Sequence, residues 1–492
     1  MPGSEVEVLD SLLASKDRRL LPDRILTVLL LLSLFISVSI VYKNYYLLFV
    51  VAAAILGALL LKLRTVPIIL VLLIIAFADW AVESAYLPFQ VMWLPELLSA
   101  LLFVKSLGEK IIARKKYIAP GLLPALFFLL LAFFSLLLNS SGIIPALLML
   151  RLLFRYYLLF LAVINLELEE KRMKLVISVL VLIFLAQLPL SVVKLVAFGQ
   201  GERSLGLSSH AVTTIFPLIA IGFFYSFYFL YQKKQAYIWG IFAFVGFSIV
   251  GEKRAFIFYL PILLAFLTWI LREKIRPRLR VIVFGLAIAL VSFYLVARLI
   301  PTLNPQKRVW GDFSLRHIID YAVSYETAVS PGGYPIGRVS ATAEVFKALE
   351  KRGLSGLAFG YGPGSVIKSM FSDYNRKESV KTRFGVEYGW NGLSWLGIQV
   401  GYLGMLAYFF LFLYLLLRSY SVYKAEENPY WRSFAMGMVS FSFILLLTSL
   451  AYSSFFNHDA VAAFYFCLAA LVMLRRQSLA EIRTEVPRTA LI

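Results

Sequence analysis

The chain has 492 residues, 61% of them hydrophobic and only 15% charged, with a formal net charge of +20. Soluble domains lie nearer half apolar and a quarter charged, so this composition excludes an ordinary soluble enzyme. It also excludes a membrane β-barrel, whose strands alternate apolar and polar residues, and with a single cysteine, Cys467, it excludes a disulfide framework or a Cys-based metal site.

Residues 1–24 are polar and read as a cytoplasmic segment. The first apolar run has no clear small-residue cleavage site and reads as an uncleaved span. Runs of about 20 apolar residues, each able to cross a hydrocarbon core roughly 30 Å thick, then recur along most of the chain. They predict helices over 25–42, 45–62, 66–82, 89–107, 119–138, 143–165, 174–198, 211–231, 236–251, 255–271, 279–300, 391–417, 433–452 and 458–474. The expected fold is an all-α polytopic membrane protein with about 14 transmembrane helices. Eleven fill residues 25–300, a long, partly helical outer loop fills 301–390, three more fill 391–474, and 475–492 form a cytoplasmic tail.

The basic residues are distributed unevenly. Lys62/Arg64, Lys110/Arg114/Lys115/Lys116, Lys171/Arg172/Lys174, Lys233/Lys234, Arg272/Lys274/Arg276 and Arg418/Lys424/Arg432 fall in loops on the side of the N-terminus. The positive-inside rule therefore places both termini in the cytoplasm. It also accounts for the net charge without nucleic acid. The exceptions lie outside. They are "GEKR" (251–254), "GQGERSLGLSSHA" (199–211) and the segment 301–390, with 12 Lys/Arg against 8 Asp/Glu. Outward cations at the lipid surface suit an anionic ligand, or else simple contact with outer-leaflet phosphates.

Within 301–390, "RVSATAEVFKALEKRGLSG" has helical spacing, and Gly353 fits a C-terminal cap. The glycines of "GLAFGYGPGS" (356–365) permit tight turns and a close backbone approach to a ligand, or serve a plain connecting loop. The stretch "SDYNRKESVKTRFGVEYGWNG" reads as a sugar-facing rim or as a lid without ligand contact. Inside the membrane, Arg151 and Arg155 share a helix face. Glu96 is the natural partner of Arg151, Arg155 lies nearer the cytoplasmic end where long side chains snorkel, and Lys194 lies near the outer end of its span.

No HExxH, GxSxG, P-loop or dinucleotide fingerprint is present, and no dense Asp cluster occurs in the outer loops. The expectation is therefore no cofactor and no metal, with Arg and Lys neutralising a leaving phosphate.

Four outer elements resemble motifs of the O-antigen ligase and O-antigen polymerase superfamily. "RSLGLSSHA" resembles its Arg-x-x-Gly motif, and "GEKRAF" its short Arg-bearing turn. "RVSATAEVFKALEKRGLSGLAFGYGPGS" resembles its Arg-headed loop helix with a Gly-x-Gly turn, and "WNGLSWLGIQVGYLGMLAYF" the start of its next helix. The resemblance covers roughly residues 140–475. It departs at Trp390, where the family often has His, and at Gln399, where an acid is common. A general base, if relatives use that His, would have to come from elsewhere, with Glu387, Tyr388, His317 and His458 as candidates.

The resemblance implies a metal-independent, inverting membrane glycosyltransferase of surface-polysaccharide biosynthesis in the cytoplasmic (inner) membrane. Its donor would be a glycan on a polyprenyl diphosphate, and its acceptor a hydroxyl of a glycan, lipid or protein. Membrane lipids and other polysaccharide-assembly proteins are the further partners implied. Arg203, Arg254 and Arg338 would be catalytic. Lys253, His210, Tyr361, Glu387, Tyr388, Trp390 and Asn391 would bind substrate. The competing class is a transporter or flippase of a lipid-linked or anionic solute, which calls for broken helices and midplane charges.

Overall fold

The computed structural model describes residues 65–77, 89–139, 142–198, 206, 214–251, 254–272, 279–328, 337–366, 391–450 and 458–485. The two spans expected at 25–42 and 45–62 lie outside the described residues. The described elements are helical, with no strand among them. In chain order they are α1 (Thr65–Ala76), a 3-10 turn (Phe89–Trp93) leading into α2 (Leu94–Ile112), α3 (Leu122–Asn139), α4 (Ile143–Asn165), α5 (Glu170–Phe198), α6 (Ile215–Leu230), α7 (Gln235–Val250), α8 (Phe256–Leu271) and α9 (Leu279–Leu299). There follow α10 (Leu315–Glu326), α11 (Arg338–Glu350), α12 (Gly353–Phe359), α13 (Gly392–Ala425), α14 (Pro429–Thr448) and α15 (Asp459–Glu485).

Each expected span within the described residues coincides with a helix, and 143–165 has the same bounds as α4. Among the described residues, however, six helices are long and apolar enough to cross a membrane by length and composition: Val91–Ile112, Leu122–Asn139, Ile143–Asn165, Glu170–Ala197, Gly392–Ala425 and Pro429–Thr448. The chain is thus an all-helical, multi-pass membrane protein. Two of the expected spans lie outside the described residues, and part of the remaining shortfall is a matter of length. At 1.5 Å per residue, 16-residue helices such as α6, α7 and α8 reach about 24 Å, short of a roughly 30 Å core.

Local chemistry explains several helix starts. Asn391 accepts from the Ser394 amide (2.7 Å) while the Ser394 hydroxyl accepts from the Asn391 amide (3.0 Å), a reciprocal cap that begins α13. Asn428 caps α14 ahead of Pro429, whose missing N–H needs no partner in the first turn. Small residues bring α6 and α14 together: a Cβ at Gly222 would strike Ser440, and one at Gly437 would strike Phe223. Close backbone approach of this kind drives association where lipid removes the hydrophobic driving force between helices.

Loops assigned by sequence to one side of the membrane touch one another. Lys110 and Lys115 both hold Glu167, at 2.7 and 2.9 Å. Arg475 pairs with Glu426 at 2.6 Å and with Glu170 at 3.4 Å. Arg254 of the α7–α8 turn, the described residues of 301–366 and the start of α13 meet in the same way, through the contacts described next.

Candidate functional site

The site is built on the aromatic face of α10. Ser314 caps this helix by accepting from the His317 amide (3.3 Å). Tyr321 and Tyr325, four residues apart, therefore lie on one face, with rings stacked at 6.0 Å and 17°. Arg254, in the short turn before α8, lays its guanidinium over Tyr321 (5.2 Å) and Tyr325 (5.8 Å) and donates to the Tyr321 hydroxyl. Burial pushes the Tyr321 phenol up, and the Arg254 cation partly opposes this. The phenol therefore stays neutral, as an acceptor for Arg254 must in order to keep its own O–H.

Arg338 is the first residue of α11. It covers Tyr325 from 5.4 Å and pairs with Glu326 at 2.5 Å. Two guanidinium groups thus converge on one tyrosine ring, within the range of cation–π attraction. The buried Nε of Arg254 has no hydrogen-bond partner among the described residues. Orphaned buried donors are rare in folded proteins.

Beside Arg338 opens a cleft of about 540 Å³, lined by Glu326, Arg338, Thr342, Phe346, Asn391 and Tyr402 among others. Its floor is set by the α13 cap, since Asn391 donates its side-chain amide to the Thr342 hydroxyl at 2.8 Å. The cleft is mostly apolar, with charged side chains at Glu326, Arg338 and Lys347. It suits a ligand with an uncharged body and an anionic group.

Of the residues singled out from sequence, Arg338 and Asn391 line this cleft, and Arg254 meets Arg338 on the Tyr325 ring without lining the cleft itself. Arg203, His210, Lys253, Glu387, Tyr388 and Trp390 lie outside the described residues. Gly206 of the Arg-x-x-Gly motif is described. It packs on α5, donating its amide to Ser191 (2.8 Å) and accepting from Lys194 at its carbonyl.

Tyr361 is placed elsewhere than expected. Its ring lies under Arg352 (4.5 Å) and its hydroxyl donates to the Ala348 carbonyl (3.2 Å), so it ties the loop to α11 and does not line the cleft. The glycines around it also have a structural use. α13 breaks at Gly401 (φ +69°, ψ 178°), which frees the carbonyls of Ile398 and Gln399. The amides of Tyr361 (2.8 Å) and Gly362 (2.9 Å) donate to them, and Gly364 donates to the Gln399 side chain (3.1 Å). The close approach expected toward a ligand is here an approach of loop backbone to helix backbone.

A second charged group lies deeper. Glu96 pairs with Arg151 and with Arg155, both at 2.6 Å, and Arg155 also pairs with Asp459 at 2.7 Å. Tyr156 donates to Asp459 at 2.9 Å. Arg155 therefore does not snorkel: its side chain is only 9% exposed and it is held by two carboxylates. The Arg151–Glu96 pairing agrees with the sequence reading, whereas Asp459 had no signal in it beyond an acid at a helix start.

The fold and the site define a multi-pass helical membrane protein with a cleft flanked by arginine and tyrosine at the end of its bundle. No protein-family model matches the chain, and no curated protein matches it.

Proposed function

We propose that this protein is a glycosyltransferase that moves a glycan from a polyprenyl-diphosphate donor to an acceptor hydroxyl at the outer face of the cytoplasmic membrane, in surface-polysaccharide biosynthesis. The observation that carries this reading is the meeting of Arg254 and Arg338 on Tyr325 beside a largely apolar cleft. Arginine forks hold two phosphate oxygens at once. A pair of them at the end of membrane helices is suited to a diphosphate whose lipid tail lies in the bilayer. The cleft is roomy enough for sugar units, and Tyr402 and Phe346 supply faces for them. The resemblance to O-antigen polymerases and ligases points the same way.

The test is transfer by purified protein from a lipid-diphosphate glycan, with and without EDTA. Substitution of Arg254 or Arg338 by Ala should remove most of the activity, since each loses a charge-assisted hydrogen bond of about 1.5–3 kcal/mol. Lys should restore it only in part. Full activity in both Ala variants would refute the diphosphate role, and loss in EDTA would refute a metal-independent mechanism.

A transporter or flippase has two observations in its favour, the broken α13 and the buried charges around Arg155. The carbonyls freed at the break are already taken by Tyr361 and Gly362, however, and Arg155 is matched by carboxylates. Movement of a labelled lipid-linked solute between leaflets, in vesicles where no transfer occurs, would favour that reading.

A further inference from the structure

We infer that Glu326 is the general base that takes the proton of the acceptor hydroxyl, an inference that rests on the glycan-transfer reading. The reaction needs a proton acceptor within reach of the attacking hydroxyl, in the same cleft as the cation that meets the diphosphate. Among the described residues lining the cleft, Glu326 is the one carboxylate. Its side chain is 32% exposed, against 17% for its partner Arg338, so solvent and substrate reach it. It ends α10 one residue after Tyr325, so the helix that presents the stacking ring also presents the carboxylate. Neither His317 nor His458 lines the cleft.

The ion pair at 2.5 Å supplies a gate. Without donor, Arg338 holds the carboxylate. The oxygens of a diphosphate compete for the same guanidinium fork. As Arg338 turns to them, a Glu326 oxygen is left facing the cleft without its cation. The base is thus exposed when the donor arrives, which disfavours its use before then. In the step itself, the acceptor O–H bond breaks and its proton passes to Glu326. The oxygen's electron pair forms the bond to the anomeric carbon. The bond from that carbon to the phosphate oxygen breaks, and its pair stays on the departing lipid diphosphate, whose added negative charge faces Arg254 and Arg338. Attack opposite the leaving group inverts the anomeric centre.

The experiment uses the full-length protein in vesicles with a lipid-diphosphate glycan donor, and compares wild type with Glu326→Gln, Glu326→Asp, Glu326→Ala and Glu387→Gln. Glu326→Gln should lower kcat by about 100-fold or more, the range for a lost acid–base group, with donor KM unchanged or lowered, since the competitor for Arg338 loses its charge, and thermal midpoint little changed. Glu326→Asp should retain part of the rate, and added formate should raise the rate of Glu326→Ala. A residue needed only to steady Arg338 would raise donor KM and ignore formate, and that result overturns the inference. So does a loss of kcat of this size in Glu387→Gln with Glu326→Gln unaffected. Absence of transfer by wild type overturns the glycan-transfer reading itself, whereas transfer that survives in Glu326→Gln overturns only the role of Glu326.

Discussion

Arg254 and Arg338, 84 positions apart in the chain, place their guanidinium groups 5.8 and 5.4 Å from the centre of one ring, that of Tyr325. Like charges gathered this closely repel, and the ring's negative face offsets part of that repulsion. Replacing Tyr325 with Phe keeps the face and should leave transfer within about threefold of wild type. Tyr325→Ala should weaken donor use by about tenfold, the equivalent of roughly 1.4 kcal/mol. The ratio of kcat/KM values across the three proteins is the measurement, and equal effects of Phe and Ala would show that the ring face is not what matters.

The glycines where the 353–364 loop meets α13 should differ sharply in tolerance. A Cβ at Gly401 would overlap the Ala358 carbonyl, and one at Gly364 the backbone of Pro145, and both residues have positive φ. Ala at either should destabilise by about 3 kcal/mol, combining the left-handed penalty with overpacking. Gly353 also has positive φ (+72°), but open space surrounds it, so Gly353→Ala should lose only about 1 kcal/mol. Thermal unfolding in detergent ranks the three, and a loss at Gly353 matching the others would contradict the packing described.

Removing two members of the buried cluster should cost less than the sum of removing each. Asp459→Leu leaves Arg155 with Glu96 alone, and Arg155→Leu leaves Asp459 buried without its cation, the latter at about 3–5 kcal/mol. Combining Arg155→Leu with Asp459→Leu should recover at least about 1 kcal/mol of the summed losses. A double-mutant cycle on unfolding midpoints reads this, and strict additivity would mean that the two side chains do not interact.

At the opposite end of the bundle, Glu167 accepts from Lys110 and Lys115, and these hydrogen bonds hold its carboxyl below the ordinary glutamate value of 4.5. A lowered folded-state pKa contributes stability above the unfolded pKa and loses it as pH falls through the folded value. Acidification from pH 6 toward 3 should therefore erase this contribution, which is small because the side chain is 58% exposed. Glu167→Gln should lower the midpoint slightly at pH 7 and match wild type at pH 3. A gap between the two proteins that widened toward acid would reverse the assigned sign.

Sidedness is testable with cysteine. In a Cys467→Ser background, Ser330→Cys should react with a membrane-impermeant thiol reagent in intact cells, and Lys424→Cys should not. The opposite pattern would invert the topology and put the arginine site in the cytoplasm.

The helices were legible in the sequence because apolar runs report burial directly. Asn391 and Arg338 could be flagged because they stand where the resembling family has an Asn at a helix start and an Arg heading the loop helix. Their mutual placement, and the stacking of Arg254 on Tyr321 across 67 positions, were not legible, since no local period encodes a tertiary partner. The spacing of Tyr321 and Tyr325 on an amphipathic helix was the one available hint of an aromatic face. Residues 356–365 misled for a related reason. Glycine signals a close approach without saying to what, and here the neighbour is the broken backbone of α13. Arg155 reads as a snorkelling residue only while Asp459, on a helix some 300 positions later, is out of view.

The break at Gly401 divides α13 into unequal arms. The later arm, 402–425, spans about 36 Å at the usual helical rise, enough by itself for a bilayer core of roughly 30 Å. The earlier arm, 392–400, is about 13 Å long, and its end at the break is held by backbone bonds to 361–362. Thickening or thinning of the membrane acts on the long arm, which adjusts by tilting. The short arm carries Asn391, and with it the floor of the cleft, on a mount fixed to the outer segment. The placement of Asn391 beside Thr342 is in this way set apart from the arm that answers to lipid thickness, while Tyr402, at the head of that arm, brings the cleft's other wall to it.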